Sequence, residues 1–320
     1  MKKILANDGI AEDGKRMLEQ AGFEVSTSKI PQEHLKDHIN EYDVLIVRSA
    51  TKVNRDVMEN SKRMQLVVRA GVGVDNIDIA YAKEKEIEVA NTPQSSSLSV
   101  AELVFSHLFS MSRFLHLSNR QMPQNGKEKF NELKKKYSDG VELRGKTLGV
   151  IGFGRIGQET AKIAVGLGMK IMAHDPFMTQ AKLRFDHLPF TPTPTLEIKM
   201  HPFEEVIANA DFISLHVPFK EGMAPMFNDD TFAKMKNGAG IVNCARGGVI
   251  DEEALIRALD SGKIAFAGLD VFESEPKVRE ALLNHDKISV SPHIGASTRE
   301  GQDRISLEVA QVIIDKVKNN

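Results

Sequence analysis

The stretch TLGVIGFGRIG, from Thr147 to Gly157, decides how the rest of the chain is read. A short apolar run ends in a G-x-G-x-x-G turn and passes straight into a segment of helical period. That order is the first βα unit of a dinucleotide-binding sheet. Gly152 permits the tight turn, Gly154 lets backbone approach a pyrophosphate, and Gly157 lets the helix pack closely on its strand. Arg155 and Ile156 fall in the first turn, where unpaired amides and the helix dipole favour a diphosphate. The next apolar run, KIMAH (Lys170 to His174), ends at Asp175, close to the spacing of about 20 residues expected of a ribose-binding acid. A carboxylate there accepts from both ribose hydroxyls and repels a 2′-phosphate, so NAD is expected rather than NADP. A lone glycine turn could merely connect strand and helix; the strand, the helix and the acid together favour the cofactor.

Outward from this unit, short apolar runs alternate with helical segments, the pattern of parallel α/β structure. Downstream come FISLH (Phe212 to His216), GIVNC (Gly240 to Cys244), FAGLD (Phe266 to Asp270) and ISV (Ile288 to Val290). A helix opens at Asp251 and stops at Gly262. Upstream, KILA (Lys3 to Ala6), DVLIV (Asp43 to Val47), LVV (Leu66 to Val68) and IEVA (Ile87 to Ala90) form an earlier series, with a helix from about Ala11 to Gln20. Ser99 to Arg120 reads as one long apolar helix, with Ser99 and Glu102 as its capping box. TPTPT at Thr191 to Thr195 reads as a stiff surface connection, and Ser297 to about Lys318 as an amphipathic final helix. The expected fold is α/β, with two Rossmann-like doubly wound parallel-sheet domains. Residues 99–290 would form the NAD domain, inserted into a substrate domain of residues 1–98 and 291–320.

Composition sets limits. At 320 residues the chain suits two domains. With 41% hydrophobic and 27% charged residues it has the balance of a globular protein. A net charge of -2 supplies no field for nucleic acid or an anionic membrane. No apolar run reaches the roughly 18 residues of a membrane span, and Asp8 interrupts the start too early for a signal peptide. The single cysteine, Cys244, fits a reducing compartment. A cytoplasmic protein without a metal site is expected.

Four residues at or just beyond strand ends carry the chemistry, where ligands of open α/β sheets bind. Arg246 follows GIVNC, Asp270 ends FAGLD, Glu275 follows in DVFESEP, and His293 follows ISV in SPHIG. Arginine can grip a keto-acid carboxylate and polarise its carbonyl. Histidine can exchange the hydroxyl proton near neutral pH, and a carboxylate beside it fixes the tautomer. Taken singly, Arg246 also reads as a surface ion-pair partner and Glu275 as a solvated loop acid; their shared location favours catalysis.

NCARGGVIDEEAL, GLDVFESEP and SPHIGAST, in this order around GFGRIG, resemble the signatures of the D-isomer-specific 2-hydroxyacid dehydrogenase family. The resemblance implies that Arg246 binds substrate carboxylate and carbonyl, that Glu275 orients His293, and that His293 is the acid/base. It puts Asp270 near the nicotinamide amide and His216 and Pro218 on the adenosine side. VRSATKV, RAGVGVDNID and NTPQSSSLSVAEL resemble the substrate domain of the phosphoglycerate dehydrogenases within that family. Arg48, Arg69 and the backbone at Gly73 would then hold phosphate and carboxylate, although both arginines also read as solvated residues at strand ends. Ser96 stands where the family commonly has asparagine, so its substrate contact would need the shorter hydroxyl or a bridging water.

The implied reaction is NAD-dependent oxidation of D-3-phosphoglycerate at C2, in serine synthesis. Two alternatives remain: a hydroxypyruvate or glyoxylate reductase or other D-2-hydroxyacid dehydrogenase, and an NAD-sensing binding protein. About one helix follows His293, so neither a serine-binding regulatory domain nor feedback inhibition through one is expected. The lysines from Lys127 to Lys136 read as a solvated face or a phosphate contact, and Cys244 as packing rather than a nucleophile. Phe105, Phe109, Phe114 and Leu117 are expected in the core or in a homodimer or higher homo-oligomer interface. A small-molecule substrate is expected, and neither nucleic acid nor membrane.

Overall fold

Fully buried strands such as VLIV and FISL suit parallel sheets covered on both faces, and the chain builds two. They are seen in a computed structural model that describes residues 1–318 except His187 and Glu221. Two compact units divide the chain: residues 1–99 with 296–320, and residues 100–295.

The first unit holds β1 (Lys3–Ala6), β2 (Glu24–Ser26), β3 (Val44–Val47), β4 (Leu66–Arg69) and β5 (Glu88–Asn91), in the order β2-β1-β3-β4-β5. All pairings are parallel. Alternate side chains divide between two cores, as a strand's period of two requires. Ile4, Val44, Ile46 and Val68 pack with Ile305, Val309 and Ile313 of the final helix, Arg299–Lys318. Leu5, Leu45, Val47 and Val67 pack with Leu35, Val57 and Tyr81 on the other face.

The second unit holds β6 (Thr147–Ile151), β7 (Lys170–His174), β8 (Gln180–Arg184), β9 (Thr195–Lys199), β10 (Phe212–Leu215), β11 (Ala239–Asn243), β12 (Ile264–Leu269) and β13 (Ile288–Val290). Its main sheet runs β13-β12-β11-β10-β6-β7, all parallel. Strand order reverses beside β6, so the glycine turn that follows it lies at a topological switch point, where such sheets bind ligands. Phe153, inside that turn, is completely buried, worth roughly 1.5–3 kcal/mol.

Several expectations needed correction. The helix expected from Ser99 to Arg120 is two: Ser97–Ser112 and Leu115–Lys136. Between them Phe114 turns left-handed (φ 53°), and its ring packs 5.6 Å from Phe266 and 5.9 Å from Tyr137. The first helix starts before Ser99, whose hydroxyl instead pairs with Thr298 Oγ1 at 2.8 Å; the capping box does not form. TPTPT is a connection as expected, but within an antiparallel hairpin of β8 with β9, where Thr195 opens β9. Its strands alternate: Leu183 and Ile198 are buried, while Lys182, Arg184, Glu197 and Lys199 are exposed. The second unit ends at Gly295, and Asp270 ties residues 291–295 to the end of β12.

Of the four apolar side chains singled out, Phe105 and Leu117 are buried, whereas Phe109 is 43% exposed. Lysines 127, 129, 134, 135 and 136 are all exposed. Among the described residues no helix is long and apolar enough to cross a membrane. No group of three or more His, Cys, Asp or Glu among them is placed to hold a metal ion.

Candidate active site

The glycine turn has the shape a dinucleotide needs. Gly152 sits at φ 88°, and a Cβ there would lie 2.5 Å from the His216 carbonyl oxygen. A Cβ on Gly157 would fall on the Gly152 carbonyl, so helix Arg155–Gly166 can approach only with glycine at that position. Gly154 faces open space and caps this helix without a side-chain bond, leaving first-turn amides for a ligand. At the end of β7, Asp175 accepts from the Phe153 amide (2.8 Å) and the Phe177 amide (2.9 Å). One bond per oxygen leaves lone pairs for ribose hydroxyls. His216 bonds Ser214 Oγ at 2.8 Å, and desolvation lowers its pKa to about 3. It is a neutral part of the wall of the turn, with Pro218 exposed just beyond it.

Arg246, Glu275 and His293 follow β11, β12 and β13, three adjacent parallel strands, and so emerge at one edge. Asn243, buried at the end of β11, shapes the Arg246 turn: its amide nitrogen donates to the Arg246 carbonyl (2.8 Å) and its oxygen accepts from the Ala245 amide (3.0 Å). Arg246 Nη1 donates to the Ala245 carbonyl at 2.6 Å. A Cβ on Gly247 would strike the Phe272 carbonyl, so this turn lies directly against the loop that bears Glu275.

A knot of charges holds that loop. Glu252 and Glu273 each accept from the other's backbone amide (2.8 and 3.1 Å), and Arg279 bridges both carboxylates. Burial, the largest influence, raises the Glu252 pKa. Glu275 Oε1 accepts from the Phe272 amide at 3.0 Å, and its Oε2 lies 2.8 Å from His293 Nδ1. The pair is partly open to solvent. His293 has φ 53°, a left-handed conformation costing a non-glycine residue about 1–3 kcal/mol.

Asp270 supports it. Only 1% exposed, it accepts from the Ser291 hydroxyl (2.6 Å) and from the Ile294 and Gly295 amides (2.8 Å each). Burial, and after it the charge of Asp270, pushes the Cys244 thiol well above its usual range, which leaves it a packing residue.

Arg48, Arg69, Gly73 and Ser96 all belong to the first unit: Arg48 directly follows β3, Arg69 closes β4, Gly73 lies in the loop after it, and Ser96 follows β5. Asp8 holds the turn after β3, accepting from the Arg48 and Thr51 amides (2.7 and 3.1 Å) and from the Thr51 hydroxyl (2.8 Å). Arg69 Nη1 donates to the Ala70 carbonyl at 3.0 Å. Gly73 is half-buried, while Ser96 is only 2% exposed. Its neighbour Ser95 is tied to Glu308 of the final helix through its amide (3.1 Å) and its hydroxyl.

The roles of Asn243, Asp8 and the Glu252–Glu273–Arg279 knot do not follow from the sequence reading. Asn243 had a visible signal, an amide closing an otherwise apolar strand. Asp8 and the knot join residues far apart in the chain and left none.

The sequence profile described as "D-isomer specific 2-hydroxyacid dehydrogenase, NAD binding domain" matches residues 105–295, more than half the chain. The chain belongs to this family. Its second unit is therefore an NAD-binding domain, and the glycine turn with Asp175 fits that cofactor. Among relatives, the chain is 42% identical to a hydroxypyruvate reductase of Thermotoga maritima over 98% of each chain. It is 40% identical to D-3-phosphoglycerate dehydrogenase 2, chloroplastic, of Arabidopsis thaliana, over 99% of this chain and 48% of that protein. The chain thus spans about half the length of that relative. A crystal structure of NAD+-bound 3-phosphoglycerate dehydrogenase from Entamoeba histolytica is similar over 100% of this chain and 96% of its own (TM-score 0.79, 28% identity).

Proposed function

We propose that the protein is an NAD-dependent D-2-hydroxyacid dehydrogenase that interconverts D-3-phosphoglycerate and 3-phosphohydroxypyruvate. The observation that carries this reading is the 2.8 Å contact of His293 with Glu275 at the strand edge that also bears Arg246. In the reducing direction, Arg246 grips the substrate carboxylate and polarises the C2 carbonyl. Glu275 accepts from His293 Nδ1–H, which leaves Nε2 to give its proton to the carbonyl oxygen. The hydride that reaches C2 is the chemistry a bound nicotinamide supplies. Gly152, Gly154, Arg155, Ile156 and Gly157 hold the diphosphate, Asp175 the ribose, His216 and Pro218 the adenosine side, and Asp270 the nicotinamide amide. In the oxidising direction His293 takes the hydroxyl proton instead.

Arg48, Arg69, the backbone at Gly73 and Ser96 are assigned to substrate phosphate and carboxylate, since a doubly anionic group calls for cationic donors beyond Arg246. A second reading, hydroxypyruvate reduction, is favoured by the identity of 42% shared with the Thermotoga maritima enzyme over 98% of each chain. A homo-oligomer is also proposed, because Phe109, Leu115, Met122 and Phe130 of helices Ser97–Ser112 and Leu115–Lys136 are exposed, an apolar set suited to an interface. Mass measured by light scattering tests it.

The deciding experiment is NADH oxidation with phosphohydroxypyruvate, hydroxypyruvate, glyoxylate and pyruvate, ranked by kcat/KM. Preference for the phosphorylated acid supports the first reading, and preference for hydroxypyruvate the second. Binding of NADH without turnover of any of these acids would overturn both and leave an NAD-sensing protein.

A further inference from the structure

His107 has no part in the chemistry above, yet it is only 3% exposed and both ring nitrogens are engaged. It lies on helix Ser97–Ser112, with Nδ1 2.9 Å from Ser289 Oγ and Nε2 3.0 Å from Ser291 Oγ. The direction of each bond follows from its far end. The Asp270 carboxylate accepts from the Ser291 hydroxyl, so the Ser291 proton is committed and its oxygen must accept from His107 Nε2–H. Nδ1 of that tautomer carries a lone pair and accepts from the Ser289 hydroxyl. This wiring needs a neutral ring. Burial, outweighing the opposite pull of Asp270, lowers the His107 pKa.

The surroundings are shaped to this side chain. A Cβ on Gly268 of β12 would lie 2.7 Å from His107 Cβ and 3.0 Å from Cγ, so glycine there makes room for the imidazole. Ser289 puts a hydroxyl into a buried strand position between Ile288 and Val290. An apolar side chain at 107 would bury as well, but it would leave Ser289 and Ser291 without their common partner.

We propose that His107 is a positioning residue: through Ser291 and Asp270 it holds residues 291–295 in the conformation that presents His293. The catalytic half of this statement rests on the function proposed above. Asp270 takes three bonds from this segment, and His293 sits among them in a left-handed conformation that persists only where its surroundings impose it. His107 fixes the Ser291 hydroxyl on Asp270, the one side-chain link among the three.

The test compares full-length wild type with His107→Leu, His107→Gln and Ser291→Ala. Hydrogen exchange of the peptide covering 291–295, kcat, the Kd for NADH and the melting temperature are measured for each. In His107→Leu, exchange in this segment should rise about tenfold and kcat fall about tenfold, the scale of a small misplacement at a reacting group. NADH affinity should stay within twofold. Ser291→Ala should raise exchange in the same way without touching the helix. His107→Gln, which keeps a donor and an acceptor, should recover most of both losses.

Unchanged exchange and kcat in His107→Leu would overturn the proposal, as would losses matched in strands far from the segment or a glutamine variant no better than leucine. If His107→Leu does not fold, Ser291→Ala and His107→Gln decide on the same readouts. Wild type that turns over none of the keto acids would sink the functional reading instead, while exchange still decides whether His107 holds the segment.

Discussion

His293 Nδ1 lies 2.8 Å from Glu275 Oε2, while the second oxygen of that carboxylate is held by the Phe272 amide. The carboxylate is thus anchored to backbone before it orients the ring, and the ring's Nε2 is the nitrogen available to a substrate. The backbone at His293 is strained and carried by Asp270, so the imidazole is placed from two sides. A residue so placed suits proton transfer, where geometry comes before pKa.

His293→Ala should therefore keep NADH affinity within about twofold and lose at least about 100-fold in kcat, the low end of what a positioned general acid contributes. Glu275→Gln preserves volume but not charge, and its loss should be smaller. Fluorescence titration with NADH and steady-state rates separate the two quantities. Retained turnover in His293→Ala would remove the histidine from the mechanism.

The glycines of the turn make a sharper comparison. Gly154→Ala adds a methyl group to open space at an ordinary φ of -68°, so the melting temperature should hold while NADH affinity drops. Gly157→Ala pushes the helix away from the Gly152 carbonyl, and overpacking of that kind costs about 1–3 kcal/mol. Both stability and NADH affinity should then fall. Calorimetry beside NADH titration checks this, and equal melting temperatures for the two variants would refute the close-packing role of Gly157.

Asp175, at the end of β7, is the residue proposed for the ribose, and it also holds the Phe153 and Phe177 amides. Asp175→Asn keeps an acceptor for the backbone and removes the charge. Hydrogen bonds to charged groups are worth about 1.5–3 kcal/mol, so the preference for NADH over NADPH should shrink about tenfold or more. The ratio of kcat/KM values for the two cofactors measures it. An unchanged ratio would dismiss Asp175 as the discriminating group.

The legible and illegible parts of this molecule divide on physical lines. Buried strands announce themselves as apolar runs, and β1 and β6 have the bounds expected from sequence, as do the edge strands β7 and β13. The glycine turn was legible because Gly152 and Gly157 answer local steric demands and Gly154 leaves open space for a ligand. The break at Phe114 was not, since it depends on contacts with Phe266 and Tyr137 rather than on any helix-breaking residue. The hairpin Gln180–Lys199 was hidden by prolines that read as a linker. In the candidate site, arginine, glutamate and histidine stood out as residue types at strand ends. His107 looked like one more residue of an apolar helix, because its partners Ser289 and Ser291 lie about 180 positions downstream.

The pH dependence of stability has a definite sign at His216. Desolvation depresses its folded pKa from 6.5 to about 3, so the folded state favours the neutral ring. The resulting stability is fully present above pH 6.5 and is lost as pH falls from 6.5 towards 3. At pH 4.5, two units below the unfolded value, the loss is on the order of 3 kcal/mol, given 1.36 kcal/mol per pKa unit. His216→Gln removes this titration while keeping a polar partner for Ser214. Between pH 6.5 and 4.5 the melting temperature of wild type should therefore fall more steeply than that of the variant. Parallel pH profiles would mean that the wild-type ring accepts its proton without unfolding pressure, and that its burial is less complete in solution than its packing indicates.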